Sequence, residues 1–155
     1  MREFFGKRYL KDLNVAVVVS QFNITITERL LQGALDALEQ TGVASDNISV
    51  ARVPGSFEIP LVAQRLAETE RFGAIICLGA LIRGETPHFD YICQQVSRGI
   101  SEVGLKFNLP VTFGVITADT VKQAMNRSSS KHANKGTEAA KAAVKMASLM
   151  KEIVD

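Results

Sequence analysis

The 155-residue chain has no tryptophan, two cysteines and two histidines, and aromatic residues make up 6% of it, as eight Phe and two Tyr. Cys77 and Cys93 sit among apolar neighbours, and neither has a second Cys or a His at metal-ligand spacing. That pattern excludes a disulfide framework and a structural zinc site, and it predicts a reducing compartment. There is no charge of one sign to speak of: Lys plus Arg is 18, Asp plus Glu 16, and the net charge is +2. Without a basic run or a heptad pattern, nucleic acid is excluded as a main partner. No apolar stretch approaches membrane-spanning length, and Met1 to Lys7 lacks the apolar centre of a signal peptide. A cytoplasmic protein with no membrane partner is expected. With no linker or internal repeat, residues 1–155 are expected to form a single domain. A chain this size buries about 70% of its unfolded surface, so its core needs no metal or cofactor for stability.

What is present is a fourfold alternation. Val15 to Val19, Ile48 to Val53, Ala74 to Leu78 and Val111 to Ile116 are short, β-branched apolar runs that read as strands. Three of the four are apolar nearly throughout, as in a parallel sheet covered on both faces. A helical pattern follows each. Thr25-Ile26-Thr27-Glu28 has the form of a capping box, after which Leu30, Leu31, Ala34, Leu35 and Leu38 mark one face, ending before Gly42. Pro60 places a second helix start near Glu58. Thr86 as cap and Pro87 at the first helical position begin a third, with Ile92, Val96, Ile100 and Val103 as its stripe. A short helix is expected over Thr120 to Arg127. A final Ala-rich one is expected from about Asn134 to Ile153, with Ala139, Ala143, Met146, Met150 and Ile153 inward. This order predicts an α/β fold, a three-layer α/β/α sandwich around a flavodoxin-like four-stranded parallel sheet.

In such sheets ligands bind beyond the carboxyl ends of the strands. The first strand delivers Phe22, either a ring for a flat ligand or a hydrophobic staple onto the next helix. The second delivers Ser56 and Glu58, a hydroxyl and a carboxylate suited to a hydroxyl-rich substrate, or else a helix cap and a dipole partner. The third ends in Gly79 to Tyr91, a Gly-containing loop whose free N–H groups and helix dipole suit a phosphate. His88 there is either a proton-transfer group or a structural histidine. Phe113 reads as core unless it faces a subunit boundary, and Thr117-Ala118-Asp119 as a helix start. Arg127, Lys131 and Lys135 gather around a loop, as a phosphate contact or a solvated face. His132 reads as exposed and without a role. No acidic pair follows the first strand and no Asp ends the third, so a phospho-acceptor receiver is disfavoured. There is no P-loop.

Taken in order, Phe22-Asn23, Val53 to Pro60, Gly79 to Tyr91, Phe113-Gly114 and Asn134-Lys135-Gly136 resemble the 6,7-dimethyl-8-ribityllumazine synthase family over essentially the whole chain. The resemblance implies condensation of 5-amino-6-(D-ribitylamino)uracil with 3,4-dihydroxy-2-butanone 4-phosphate, without cofactor or metal. It places the pyrimidine against Phe22 and the backbone of Ala80, Leu81 and Ile82. Ser56, Phe57 and Glu58 would take the ribityl side, and Glu85 and Thr86 the phosphate, with Arg127 as counter-charge. His88 would transfer protons. Phe113 and Arg127 would come from a neighbouring subunit, and Lys135 would lie near the pyrimidine. The family also implies a homopentamer, in some members a sixty-subunit shell, with Glu3-Phe4-Phe5 as a strand on a neighbour's sheet edge.

The chain departs from the family pattern in two places. Pro87 stands where a small polar residue is usual, and Ser128 to Ala133 replaces a Gly-containing turn. Two other readings share the fold: a flavin-retaining binding or shell protein, and an archaeal-type riboflavin synthase. Phe22, Glu58, His88 and Arg127 together favour the synthase.

Overall fold

A computed structural model describes residues 1–129 and 133–155, so the readings of Lys131 and His132 concern residues outside the described set. The strands are β1 (Val15–Ser20), β2 (Ile48–Val53), β3 (Ala74–Ile82) and β4 (Val111–Ala118). They form a four-stranded sheet in the order β2-β1-β3-β4, with every neighbouring pair parallel. The helices are α1 (Ile24–Gln40), α2 (Ile59–Glu68), α3 (His88–Phe107), α4 (Val121–Asn126) and α5 (Lys135–Val154). The expected flavodoxin-like order is the one observed.

Alternation along the strands divides the core in two. Val15, Val17, Val19, Ile76 and Leu78 point to the face covered by α1 and α5. Ala16, Val18, Ile75 and Cys77 point to the face covered by α2 and α3. The Cys77 thiol is wholly buried there, and burial pushes its pKa up to about 12, which makes it a packing group rather than a nucleophile. Apart from Cys77, the buried hydrophobic core is aliphatic: among the described residues no Phe or Tyr is fully buried in it.

Local signals were read correctly in kind but not always in place. The capping box does not form. α1 starts at Ile24 behind Asn23, which holds φ 60° and ψ 48°, so Thr25 already lies in the first turn. Thr117 and Ala118 belong to β4, and Thr120 caps α4 by accepting a hydrogen bond from Gln123 N. On α5 the inward face is Gly136, Ala139, Ala140, Ala143, Val144 and Ala147, whereas Met146 and Ile153 are exposed.

Close approach explains that rotation. Asn134 caps α5, its Oδ1 accepting from Gly136 N and Thr137 N at 2.8 and 3.1 Å, while its Nδ2 donates to Arg29 O at 3.1 Å and Ser128 O at 3.2 Å. This draws α5 so near α1 that a Cβ on Gly136 would collide with the Leu30 carbonyl, and one on Gly33 would lie 2.5 Å from Asn134 Oδ1. Small side chains suit such a contact, so Met146 turns outward while Met150 is half-buried. Among the described residues no helix is long and apolar enough to cross a membrane.

Gly136→Ala should therefore destabilise the protein by about 1–3 kcal/mol, the usual cost of overpacking a close contact. Denaturant unfolding checks this, and a midpoint equal to that of the parent would contradict the packing account.

Candidate active site

The site follows from unequal strand lengths. β1 pairs with β3 as far as Val19 opposite Leu78. β3 then runs on through Gly79, Ala80, Leu81 and Ile82, paired only with β4. Its edge toward β1 is thus open over the last residues, a row of backbone donors and acceptors with no strand beside it. Asn23 takes one of them, its Nδ2 donating to Ala80 O at 3.0 Å. The loop carrying Asn23 is held from the other side, since Gln21 N and Phe22 N donate to Val53 O and Pro54 O.

A cleft of about 270 Å³ occupies the space so defined. Phe22, Ser56, Phe57, Glu58, Ala80, Leu81, Ile82, Thr86 and His88 of the expected set all line it. Phe22 is 70% exposed, so the staple reading fails and its ring stands free at the mouth. Ser56 caps neither its own turn nor α2; it is buried, and its hydroxyl lies where a side chain on Gly79 would be. Ser20 Oγ shares that floor, buried and without a hydrogen-bond partner among the described residues. Glu58 occupies the N-cap position of α2. His88 opens α3, exposed, its N–H directed to Thr86 Oγ1 at 3.4 Å. Thr86 is therefore not the cap expected of it: Pro87 holds the N-cap position of α3, without a side-chain cap bond, and Thr86 lies one residue further out.

Four expected residues lie outside this cleft. Glu85 stands exposed between two lining residues, Gly84 and Thr86. Phe113 is 42% exposed on edge strand β4, which overturns its default reading as core. Arg127 follows α4 and donates from Nη1 to Thr117 O at 3.0 Å. Lys135, in the first turn of α5, pairs with Glu138 at 3.6 Å. Sequence reasoning in turn missed Asn23 as a contact, along with Ser20, Gly84 and Phe89. The αL backbone of Asn23 was the available clue, because asparagine tolerates it better than most residues.

A larger cleft, about 770 Å³, lies between α1 and the start of α5, lined by groups such as Arg29, Gln32, Asp36 and Glu138. Among the described residues its lining has no aromatic ring and no histidine. The chemistry gathers at the carboxyl edge of the sheet, where an aromatic ring, an open strand edge, a buried hydroxyl, a carboxylate and an imidazole share one space.

The fold is that of an α/β protein with a small-molecule-sized cleft at the carboxyl end of a parallel sheet. A family model of 6,7-dimethyl-8-ribityllumazine synthase matches residues 12–151. A 6,7-dimethyl-8-ribityllumazine synthase of Protochlamydia amoebophila (strain UWE25) is 51% identical over 153 residues, covering 99% of this chain and 89% of the relative. The chain belongs to the 6,7-dimethyl-8-ribityllumazine synthase family and carries that transferase activity, a step of riboflavin biosynthesis.

Asn23→Ala should lose the tie to Ala80 and strain the αL position, destabilising the protein by about 1–2 kcal/mol. Asn23→Gly should recover the strain but not the tie. Equal stability of the two variants in denaturant unfolding would show that the conformation is not what Asn23 supplies.

Proposed function

We propose that the cleft holds the pyrimidine of 5-amino-6-(D-ribitylamino)uracil with its ring on Phe22 and its polar edge along the backbone of Ala80, Leu81 and Ile82. The open edge of β3 is the observation that carries this reading: it offers a flat heterocycle the hydrogen bonds that a neighbouring strand would otherwise take. The ribityl hydroxyls then fall to Ser56 and Glu58, beside Phe57. The phosphate of 3,4-dihydroxy-2-butanone 4-phosphate lies on the backbone N–H groups near Glu85 and Thr86, at the positive end of α3.

The reaction moves protons repeatedly. The amine adds to the ketone and water leaves to give an imine, phosphate is eliminated, and ring closure expels a second water. None of these steps requires a strong nucleophile. A positioned acid–base group suits them, and His88 brings an imidazole into the cleft. Holding two substrates in one orientation supplies much of the remaining acceleration.

Phe113 and Arg127 are assigned to the site of a neighbouring subunit. The support is that both lie off their own chain's cleft while Phe113 exposes a large ring on an edge strand. The same assembly brings Lys135 near the pyrimidine. A cleft of about 270 Å³ is also just under the roughly 300–1,000 Å³ usual for small-molecule pockets, as expected of a site with a wall still to come. The working unit on this reading is a homopentamer of single-domain chains in the cytoplasm, and a sixty-subunit shell is its further possible closure. The segment Glu3-Phe4-Phe5 would join a neighbour's sheet edge with its exposed Phe4 and Phe5, Phe5 N giving up its bond to Glu152 Oε2.

His88→Ala should slow turnover roughly ten- to a hundredfold without abolishing it, because positioning survives. Lumazine absorbance and phosphate release give the rate. Wild-type turnover with unchanged substrate binding would remove His88 from the mechanism.

Arg127→Ala should raise KM for the butanone phosphate by roughly tenfold or more, the range of a lost charge-assisted hydrogen bond. An unchanged KM would count against the phosphate role, and light scattering that returns the mass of one chain would remove the shared site.

A further inference from the structure

Arg83 follows β3 directly and joins three elements at the rim of the site. Its backbone N donates to Ala118 O at 2.9 Å, and its Nε donates to Asp119 Oδ1 at 2.8 Å. Its Nη1 lies 3.3 Å from both carboxylate oxygens of Asp90, in the first turn of α3. The guanidinium also stands 4.6 Å from the ring centroid of Phe89, a residue that lines the substrate cleft.

Arg83 and Asp119 share a second cleft, about 290 Å³, with Arg127. The Arg127 side chain folds back over α4 to Thr117 O, two residues before Asp119. Yet both aspartates go to Arg83, and among the described residues Arg127 forms no ion pair. Carboxylates and guanidinium groups pair readily, often in bidentate fashion. An Asp119 released from Arg83 would have Arg127 as the next cation in its cleft.

We propose that Arg83 is a positioning residue for the anion site shared between subunits: by holding Asp119 and Asp90 it keeps the Arg127 guanidinium of its own chain available to the substrate phosphate in the neighbouring subunit's cleft. The proposal rests on the phosphate role assigned to Arg127 above. It differs from a purely structural role, in which Arg83 only staples the loop that leads to His88. A staple is broken equally by losing either partner. A carboxylate holder is not: removing Arg83 frees a competitor, whereas removing the Asp119 charge abolishes it.

The test is steady-state kinetics on the full chain, with inorganic phosphate as a competing probe. R83Q should raise KM for the butanone phosphate about two- to fivefold, the range an exposed ion pair supplies. The inhibition constant of phosphate should rise by the same factor, while KM for the ribitylaminouracil stays put. D119N alone should leave all three at or below parental values, and R83Q/D119N should return them there. If R83Q does not fold, R83K, which keeps one charge for two carboxylates, should give an intermediate rise that D119N again reverses. A D119N variant that behaves like R83Q, a double variant that stays impaired, or an R83Q variant with parental constants would overturn the proposal. R127A separates the two levels. Parental phosphate constants in R127A mean that the phosphate reading itself has failed; a rise in R127A without one in R83Q or R83K means that only the role of Arg83 has.

Discussion

The two central strands are buried on both faces, and that constraint governs where this protein can do chemistry. Every backbone N–H and C=O of β1 and of the first half of β3 must be satisfied within the ladder, because neither water nor ligand reaches them. The first groups released from that obligation are those beyond Leu78, where β3 outlasts β1. The cleft is therefore not carved into the fold. It is the volume a longer β1 would have filled, and Asn23 closes one end of it by taking the Ala80 carbonyl.

The segment that leads into α5 depends on a different contact, the crossing of α1 and α5. Asn134 caps α5, reaches Arg29 O on α1, and closes a bridge to Ser128, while Lys135 N donates to Arg127 O. The residues on either side of the replaced turn, Arg127 and Lys135, are thus fixed by backbone bonds to each other and through Asn134 to α1. Losing the family's glycines in that turn leaves this frame standing, because the anchoring is done by Asn134 and by Gly136 packed on Leu30.

Layer order and strand positions were legible in the sequence because each rests on a pattern with one physical meaning, whereas the nine cleft residues came from strand ends with two readings each or from the family resemblance. Apolar β-branched runs separated by helical stripes have few other uses, and the strand ends follow from parallel pairing. What was not legible depended on competition between neighbours. Thr25 and Asn23 are both plausible helix starts, and the deciding event is a bond from Asn23 to Ala80, which lies on a strand far along the chain. Met146 and Ala147 are both apolar, and the choice of which turns inward is made by the spacing to α1 rather than by hydropathy. Phe113 has core chemistry and an edge-strand address, and only strand order distinguishes the two.

The scarcity of aromatic residues takes on a sharper meaning once their positions are known. Burying a Phe or Tyr removes on the order of 150–250 Å² from water, which makes these residues the natural filling of a core. Here none is in the buried core, and Phe4, Phe5, Phe22, Phe57, Phe113, Tyr9 and Tyr91 are all exposed on the single chain. The aliphatic core explains how the sheet tolerates close helices: Val, Ile, Leu and Ala fill a thin layer that a ring would prop apart. A chain that places all its rings outside its core carries apolar surface that isolated folding does not use. Phe22 and Phe57 at the cleft mouth are suited to cover a heterocycle, and Phe113 on its edge strand is suited to the neighbouring chain in the proposed assembly. Phe72 and Phe107 pack half-buried against the margin of the core, and the exposed rings are where contact with something other than the chain itself can cover them.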